Sequence, residues 1–327
     1  MREPLLKVRN LDVYYYNIRV LHRVGFEIRR GEVYALVGES GCGKTTTANA
    51  ILRILPEIAR IGNESSILYY KDGRDPVDLL KLPEDEFSRD IRWKEISMVF
   101  QGALNALNPT IKIKAHFLET AKAHGIRDKK EVYKRAYELL SAVKLEADRV
   151  LESYPIELSG GMKQRVLIAL ALFLNPKFVI LDEPTTALDV LTQREILFLL
   201  KELKEKFDLT YMLITHDIAL VADIADRVGI MYAGRIVEES SVEKIFYDPK
   251  HPYTIALLRS VPQIGDFKRL PEGIPGEPAD FRKLPPGCPF HPRCPEATEI
   301  CRQKVPPLID LGDRKIACHL YAKEKVS

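Results

Sequence analysis

One eight-residue stretch has the composition of a loop that binds phosphate. It reads GESGCGKT from Gly38 to Thr45 and follows the apolar run VYALV. Glycines let backbone N–H groups curl around phosphate oxygens at a helix start, where Lys44 reaches the outer phosphates and Thr45 offers a hydroxyl to Mg²⁺. Cys42 occupies a variable position of such loops, so its side chain is expected to be incidental to phosphate binding. Alternatively, a thiol beside the phosphates could make the protein sensitive to oxidation. The stretch predicts an ATP-binding site that includes Gly38, Ser40, Gly41, Cys42, Gly43, Lys44, Thr45 and Thr46.

Four short apolar runs each end at a polar residue. VYALVG leads into the loop, ISMVF ends at Gln101, FVIL ends at Asp182 and Glu183, and YMLIT ends at His216. Such runs are typical of strands that are buried on both faces of a parallel sheet. Because ligands bind beyond the carboxyl ends of these strands, we expect an α/β protein whose four strand endings converge on one edge.

The polar residues at these endings suit phosphoryl transfer. Asp182 is placed to help hold Mg²⁺, and the adjacent Glu183 could activate a water molecule for attack on the γ-phosphate. Gln101 could sense that water or the metal ion, and His216 could donate a hydrogen bond to the γ-phosphate. Taken alone, either of the last two residues would more often have a structural role.

A second candidate phosphate site reads LSGGMKQR from Leu158 to Arg165. Ser159 and two glycines stand where a helix begins, and free N–H groups at a helix start favour anions. By itself this is an ordinary N-cap with a glycine turn. With the phosphate loop upstream, the stretch resembles the signature motif of ATP-binding-cassette (ABC) ATPases.

This resemblance implies a fold and an assembly. The fold is α/β, with a RecA-like mixed-sheet core, a β-subdomain and a helical subdomain. In the family two such domains face each other head to tail, and each ATP lies between the phosphate loop of one and the signature of the other. The signature residues facing the partner's ATP would be Ser159, Gly160, Gly161 and Gln164.

Three further assignments follow from the resemblance. Asp189 in ALD matches the loop that crosses the dimer interface, and Gln101 with Asp182 and Thr45 would surround Mg²⁺. Tyr15 aligns, by its spacing before the phosphate loop, with the aromatic residue that stacks on adenine. Its neighbours Tyr14 and Tyr16 leave that assignment open by one residue.

Four other stretches resemble the ATPases of oligopeptide transporters: VFQGALNALNP, TTALDV, HPYTIALLRSVP and GCPFHPRCP. The resemblance implies the ATPase subunit of a di- or oligopeptide importer, docked peripherally on the cytoplasmic side of two membrane-spanning permease subunits. A second ATPase chain, usually a paralogue, and an extracytoplasmic substrate-binding protein would complete the importer. The expected domains are a nucleotide-binding domain at 1–245, with a helical subdomain at about 102–175, and a C-terminal extension at 246–327.

Other functions stay open at this point. Importers of this type also move oligosaccharides or nickel, and some ABC ATPases act in DNA repair or translation without a membrane. The charges nearly cancel, with 49 Lys and Arg against 46 Asp and Glu, which does not favour a nucleic-acid partner. A third possibility is that the tail is an independent metal-binding regulatory module. In that case the nucleotide-binding domain would act as the switch of this module. The longest apolar run, VLIALALFL, has about half of the roughly 20 residues that span a bilayer.

Four of the five cysteines lie in the proline-rich tail, which raises the question of a metal. The first residues, MREPLLKVRNL, lack the apolar core of a signal peptide, so we expect a reducing cytosol, where clustered cysteines are more often metal ligands than disulfides. Four thiolates suit zinc or an iron–sulfur cluster, and the resemblance favours a structural [4Fe–4S] cluster. His291 and His319 are alternative ligands, although solvated loop histidines are more common. The predicted ligands are Cys288, Cys294, Cys301 and Cys318.

Overall fold

A computed structural model describes residues 2–71, 75–102, 106–261 and 272–322. Residues 103–105 of the VFQGALNALNP stretch and Pro262 of HPYTIALLRSVP lie outside this part of the chain. The described residues form two compact units. Unit 1 comprises Met1–Lys81 and Leu213–Ser327, and unit 2 comprises Leu82–Met212. The expected domain boundary at residue 245 stays a prediction.

The strands are β1 (Pro4–Tyr15), β2 (Ile18–Arg29), β3 (Val33–Val37), β4 (Ala59–Ile61), β5 (Ser66–Tyr69), β6 (Val77–Asp78), β7 (Ile96–Val99), β8 (Phe178–Asp182), β9 (Thr210–Thr215), β10 (Arg227–Tyr232), β11 (Arg235–Ser241), β12 (Ile309–Asp310) and β13 (Arg314–Ile316). The α-helices are α1 (Lys44–Leu52), α2 (Glu84–Asp90), α3 (Ile113–Ala123), α4 (Lys129–Ala142), α5 (Ala147–Glu152), α6 (Gly160–Ala171), α7 (Val190–Phe207), α8 (Ile218–Ala222), α9 (Val242–Tyr247), α10 (Pro252–Arg259) and α11 (Glu299–Gln303).

Unit 1 contains an antiparallel sheet and most of a mixed sheet. The antiparallel sheet has the order β2-β1-β5-β6, and β4 also pairs with β1. In the mixed sheet the order within unit 1 is β12-β13-β11-β10-β3, where β3 is parallel to β10 and the other pairs are antiparallel. Every residue of β3 is buried, which explains its uninterrupted apolar sequence.

Unit 2 holds the parallel pair β7 and β8, both fully buried, and a group of helices. Helices α3, α4, α5 and α6 pack on one another, and α7 buries one face. Strand β9 is also fully buried, and the boundary between the units falls within it. All four apolar runs that the sequence predicts as strands are therefore strands. None of the helices in the described part of the chain is both long and apolar enough to span a bilayer.

A buried carboxylate secures the start of the C-terminal extension. Glu238 in β11 is fully buried and accepts hydrogen bonds from the backbone N–H groups of Lys250 and His251, at 3.0 and 2.9 Å. Arg314 in β13, also buried, donates to the same carboxylate at 3.1 Å. One side chain thus connects β11, the segment that enters α10, and β13.

We expect Glu238→Ala to lower the free energy of unfolding by about 3 kcal/mol, because it leaves two backbone N–H groups, one of them buried, and a buried guanidinium short of an acceptor. Denaturant unfolding of the purified chain measures the change. Glu205→Ala, at an exposed position of α7, is the control and should change stability by less than about 0.5 kcal/mol. Equal stabilities of the two variants would contradict the role given to Glu238.

Candidate functional site

The predicted phosphate loop connects β3 to the first turn of α1. Gly41 and Gly43 have φ values of 76° and 110°, which only glycine adopts readily. A Cβ on Gly38 would stand 2.2 Å from the carbonyl oxygen of Met231, so that position also excludes other residues. The strand, loop and helix therefore have the arrangement that the motif predicts, and glycine is required at three of its positions.

Lys44 is a buried and hydrogen-bonded polar residue of this loop. Its side chain is buried, and Nζ donates hydrogen bonds to the carbonyl oxygens of Gly38 and Glu39, at 2.8 and 3.0 Å. Thr45 and Thr46 are half-buried in the first turn of α1, and Ser40 is exposed. The ammonium group is thus held by the loop's own backbone at the start of a helix, where anions are favoured.

Cys42 is buried in the loop, with Sγ 3.9 Å from Nζ of Lys44. Burial raises the pKa of the Cys42 thiol above its ordinary value. Since the thiolate is the form that reacts with oxidants, this environment does not favour the oxidation sensitivity considered from the sequence.

Two other predicted residues belong to unit 1. His216 is exposed and directly follows β9, and the next residue, Asp217, caps α8 by accepting from the N–H of Ala219 at 2.9 Å. Tyr15 is half-buried at the end of β1. The ring of its neighbour Tyr14 lies 3.9 Å from the guanidinium of Arg60, which covers that ring.

Unit 2 brings Gln101 and Glu183 together. Nε2 of Gln101 donates to Oε2 of Glu183 at 3.0 Å, and the hydroxyl of Thr186 donates to the same oxygen at 2.9 Å. Glu183 has a φ of 47°, an unfavourable backbone conformation for a residue with a side chain. Asp182, which precedes it at the end of β8, is only 1% exposed. The carboxylate of Glu183 is therefore oriented by two donors from different segments.

The signature stretch starts α6, as predicted. The hydroxyl of Ser159 caps the helix by accepting from the N–H of Met162 at 3.3 Å. A Cβ on Gly161 would stand 2.7 Å from Cγ2 of Thr192, so glycine is required for this packing. Gln164 differs from the expectation: it is only 4% exposed, and this burial does not favour direct contact with a partner's nucleotide.

Asp189 caps α7. Its carboxylate accepts from the backbone N–H of Thr192 at 3.0 Å and from the Thr192 hydroxyl at 2.6 Å. These hydrogen bonds lower the pKa of Asp189. The next two residues, Val190 and Leu191, expose most of their apolar surface. Thr192 therefore bonds to Asp189 and packs on Gly161, a role that the sequence reasoning missed although a D-x-x-T pattern is a possible N-cap.

The four tail cysteines are free thiols that are buried or half-buried. The backbone N–H of Cys288 donates to the carbonyl oxygen of Cys301 at 2.8 Å. Burial, with a smaller contribution from the neighbouring thiols, raises the pKa of Cys288 and Cys294, and that of Cys318 to about 11. His291 and His319 each place a ring nitrogen within 2.9 Å of a backbone carbonyl oxygen, as structural histidines do.

The predicted metal site is not supported by this arrangement. In the segments that the structure describes, no three or more His, Cys, Asp or Glu side chains are gathered as the ligands of a metal ion would be. A single zinc ion needs four ligands at about 2.0–2.3 Å. The described side chains of the tail form no such set.

Comparisons with known sequences cover nearly the whole chain. Residues 21–186 match the family model described as ABC transporter, and residues 237–301 match the one described as oligopeptide/dipeptide transporter, C-terminal region. A protein named dipeptide transport ATP-binding protein DppD, from Caldanaerobacter subterraneus subsp. tengcongensis, is 46% identical, covering 97% of each chain. The oligopeptide transport ATP-binding protein OppD of Escherichia coli is 42% identical over 98% of this chain and 95% of its own.

Solved structures agree on the fold. A dimeric ATP-binding cassette, MJ0796, in a post-hydrolysis state with ADP and Pi, has a TM-score of 0.61 and 32% identity, covering 73% of this chain and 99% of that one. The cbiO1 protein of Clostridium perfringens has a TM-score of 0.64 and 28% identity, covering 76% of this chain and 92% of its own. These similarities confirm the predicted nucleotide-binding fold with mixed sheets.

Proposed function

Because the chain belongs to the ATP-binding subunits of the oligopeptide and dipeptide family of ABC transporters, we propose that it hydrolyses MgATP to drive the import of di- or oligopeptides. The observation that carries this proposal is the near full-length similarity to two peptide-transport ATP-binding proteins, together with the match to the C-terminal region of oligopeptide and dipeptide transporters. The assignments of individual residues below are parts of the proposal.

In unit 1, the phosphate loop binds the ATP phosphates. Its backbone N–H groups and the buried ammonium of Lys44 supply positive charge, and the Thr45 hydroxyl is an oxygen ligand that suits Mg²⁺. His216 donates a hydrogen bond to the γ-phosphate. Tyr15 stacks on the adenine ring, because the ring of Tyr14 is already covered by Arg60.

In unit 2, Glu183 is the general base. When bound, Mg²⁺ neutralises charge on the phosphates, and Asp182 and Gln101 offer it oxygen ligands. The carboxylate of Glu183 accepts the proton of the attacking water, and the hydrogen bond from Gln101 orients that carboxylate for the task. A base that is fixed by hydrogen bonds before the substrate arrives loses less free energy to reorganisation in the transition state.

The signature of unit 2 serves a nucleotide on a second cassette. Ser159 and the N–H groups that follow it at the start of α6 form the anion site. Asp189 fixes the start of α7 through Thr192, and so presents the exposed apolar side chains of Val190 and Leu191 to the opposing domain. The second cassette is a paralogue of this chain or another copy of it.

The assembly contains two permease subunits and works with an extracytoplasmic binding protein, with this chain on the cytoplasmic face of the membrane. To test this function, the chain is purified with the membrane proteins that accompany it and placed in proteoliposomes with the binding protein. We expect ATP-dependent uptake of a labelled di- or oligopeptide. Uptake of an oligosaccharide or nickel instead, or purification without any membrane protein, would contradict the proposed role.

The tail holds a structural [4Fe–4S] cluster in this proposal. Four cysteines are a complete thiolate set for such a cluster, and two of them are joined by the hydrogen bond from the backbone N–H of Cys288 to the carbonyl oxygen of Cys301 at 2.8 Å. A four-iron cluster is wider than one zinc ion, so its cysteines stand farther apart. The resemblance of the tail to the oligopeptide-type extension is what favours the cluster over zinc. Cluster binding would supply folding free energy to a proline-rich segment.

We expect protein purified without oxygen to be brown, with iron and acid-labile sulfide in equal amounts. Cys294→Ser should lose both, whereas Cys42→Ser, the matched change at the cysteine outside the tail, should keep them. Metal analysis and visible absorption measure the outcome. Colourless protein with one zinc per chain would reject the cluster but retain the ligands, and metal-free protein would reject both.

A further inference from the structure

An arginine of the C-terminal extension contacts the phosphate loop directly. Arg293 lies in the 3₁₀ turn His291–Arg293, and its guanidinium forms two parallel hydrogen bonds with the carboxylate of Glu39. Nη1 lies 2.7 Å from Oε2, and Nη2 lies 2.9 Å from Oε1. Glu39 is the second residue of the GESGCGKT loop, at a position that phosphate binding by itself leaves unspecified.

This ion pair is buried and geometrically fixed. The side chain of Arg293 is 5% exposed and that of Glu39 is 21% exposed. Nε of Arg293 also donates to the carbonyl oxygen of Pro275 at 2.7 Å, so the guanidinium plane is held on two sides. Bidentate pairs of this kind are stronger and more directional than exposed ion pairs, because two parallel hydrogen bonds fix the geometry and water competes less for the charged groups.

The backbone of Glu39 is held as firmly as its side chain. Its N–H donates to the hydroxyl of Tyr253 at 2.9 Å, and its carbonyl oxygen accepts from Nζ of Lys44 at 3.0 Å. Tyr253 packs on Phe290 of the extension, with ring centroids 5.3 Å apart. Glu39 therefore contacts both the C-terminal extension and Lys44, and it is the one residue between them in this series of contacts.

We propose that Arg293 is a positioning residue for ATP binding. By fixing Glu39 it fixes the carbonyl group that holds Lys44, and so keeps the phosphate loop in its binding conformation before ATP arrives. The inference rests on the proposed ATP site and extends it to a segment that carries none of the residues assigned to that site. Coupling between two sites is reciprocal, so bound ATP also stabilises the docked extension.

A purely structural pair would behave differently. It would lower the stability of the chain when broken, but it would leave the ATP affinity of the folded protein unchanged. A positioning residue changes the affinity of the folded protein, because part of the binding free energy must then be used to order the loop.

The test measures MgATP affinity with the full purified chain, by titration with a fluorescent ATP analogue. We expect Glu39→Gln, which is nearly isosteric, and Arg293→Met each to raise the Kd about tenfold. The double variant should have a Kd no higher than that of the single variant with the higher Kd, because each substitution breaks the same ion pair. Arg282→Met is the matched control, because this exposed arginine of the extension pairs with Asp280 rather than with the phosphate loop, and its Kd should equal that of the wild type.

In the assembled transporter the same two variants should raise the KM for ATP and leave kcat at saturating ATP unchanged. Circular dichroism confirms that each variant is folded, and Glu39→Gln carries the test if Arg293→Met does not fold. An unchanged Kd in folded Glu39→Gln would overturn the inference while leaving the ATP site intact. Wild-type protein that bound no MgATP would instead contradict the proposed function, and the inference with it.

Discussion

Glu183→Gln is expected to bind MgATP with wild-type affinity and to lose almost all hydrolysis, by about 10²–10⁴-fold in kcat. General base catalysis contributes a factor of this size, and an amide cannot accept the proton of the attacking water. The substitution changes one atom, so the backbone conformation at φ 47° and the contact with Gln101 can both persist. The variant should therefore accumulate the closed, ATP-bound dimer of cassettes.

Steady-state hydrolysis by the assembled transporter and MgATP affinity of the purified chain measure the two quantities. Glu202→Gln, an exposed glutamate of α7 that pairs with Lys144, is the matched control and should hydrolyse ATP at the wild-type rate. If Glu183→Gln retained wild-type turnover, another group would have to accept the proton. If it lost ATP affinity as well, Glu183 would be a binding residue rather than a base.

The elements that the sequence predicts are those set by local rules. A short apolar run such as FVIL must be buried on both faces, and the glycines of GESGCGKT must turn tightly between a strand and a helix. Ser159 similarly stands at a helix start because serine followed by two glycines favours an N-cap. In each case the physical cause lies within a few residues of the feature that it determines.

Contacts between distant residues could not be predicted in this way. Arg293 and Glu39 are 254 positions apart in the chain, and neither motif indicates that the other is near. The sequence pattern of α6 places Gln164 beside the signature glycines, but only the packing of the helix decides that its side chain faces inward. The cysteine spacing likewise identifies a thiolate set without fixing how far apart the four sulfur atoms stand.

The position of the signature depends both on a local pattern and on a contact between separate motifs. Asp189 and the signature lie in separate motifs, yet Thr192 bonds to the first and packs on Gly161 of the second. A change at the start of α7 therefore displaces the start of α6 within the same unit. This contact gives a physical reason why the two motifs would act together in the proposed site for a nucleotide held by another cassette.

Ser159→Arg is expected to leave MgATP binding by the isolated chain unchanged and to lower hydrolysis in the assembled transporter by about 10²-fold or more. An arginine side chain at the start of α6 would fill the space of the partner's γ-phosphate and prevent closure, and loss of one oxyanion donor alone costs about this factor. The substitution also removes the N-cap of α6, in which the Ser159 hydroxyl accepts from the N–H of Met162. This loss costs about 1 kcal/mol of stability.

Ser159→Asp separates these two effects, because aspartate caps a helix as well as serine does but repels a phosphate. Both variants should therefore lose hydrolysis, while only Ser159→Arg loses stability in denaturant unfolding. Equilibrium binding of MgATP to the isolated chain supplies the remaining measurement. Loss of ATP binding by isolated, folded Ser159→Asp would place the serine at its own chain's nucleotide, and wild-type hydrolysis by Ser159→Asp would leave the residue with a capping role alone.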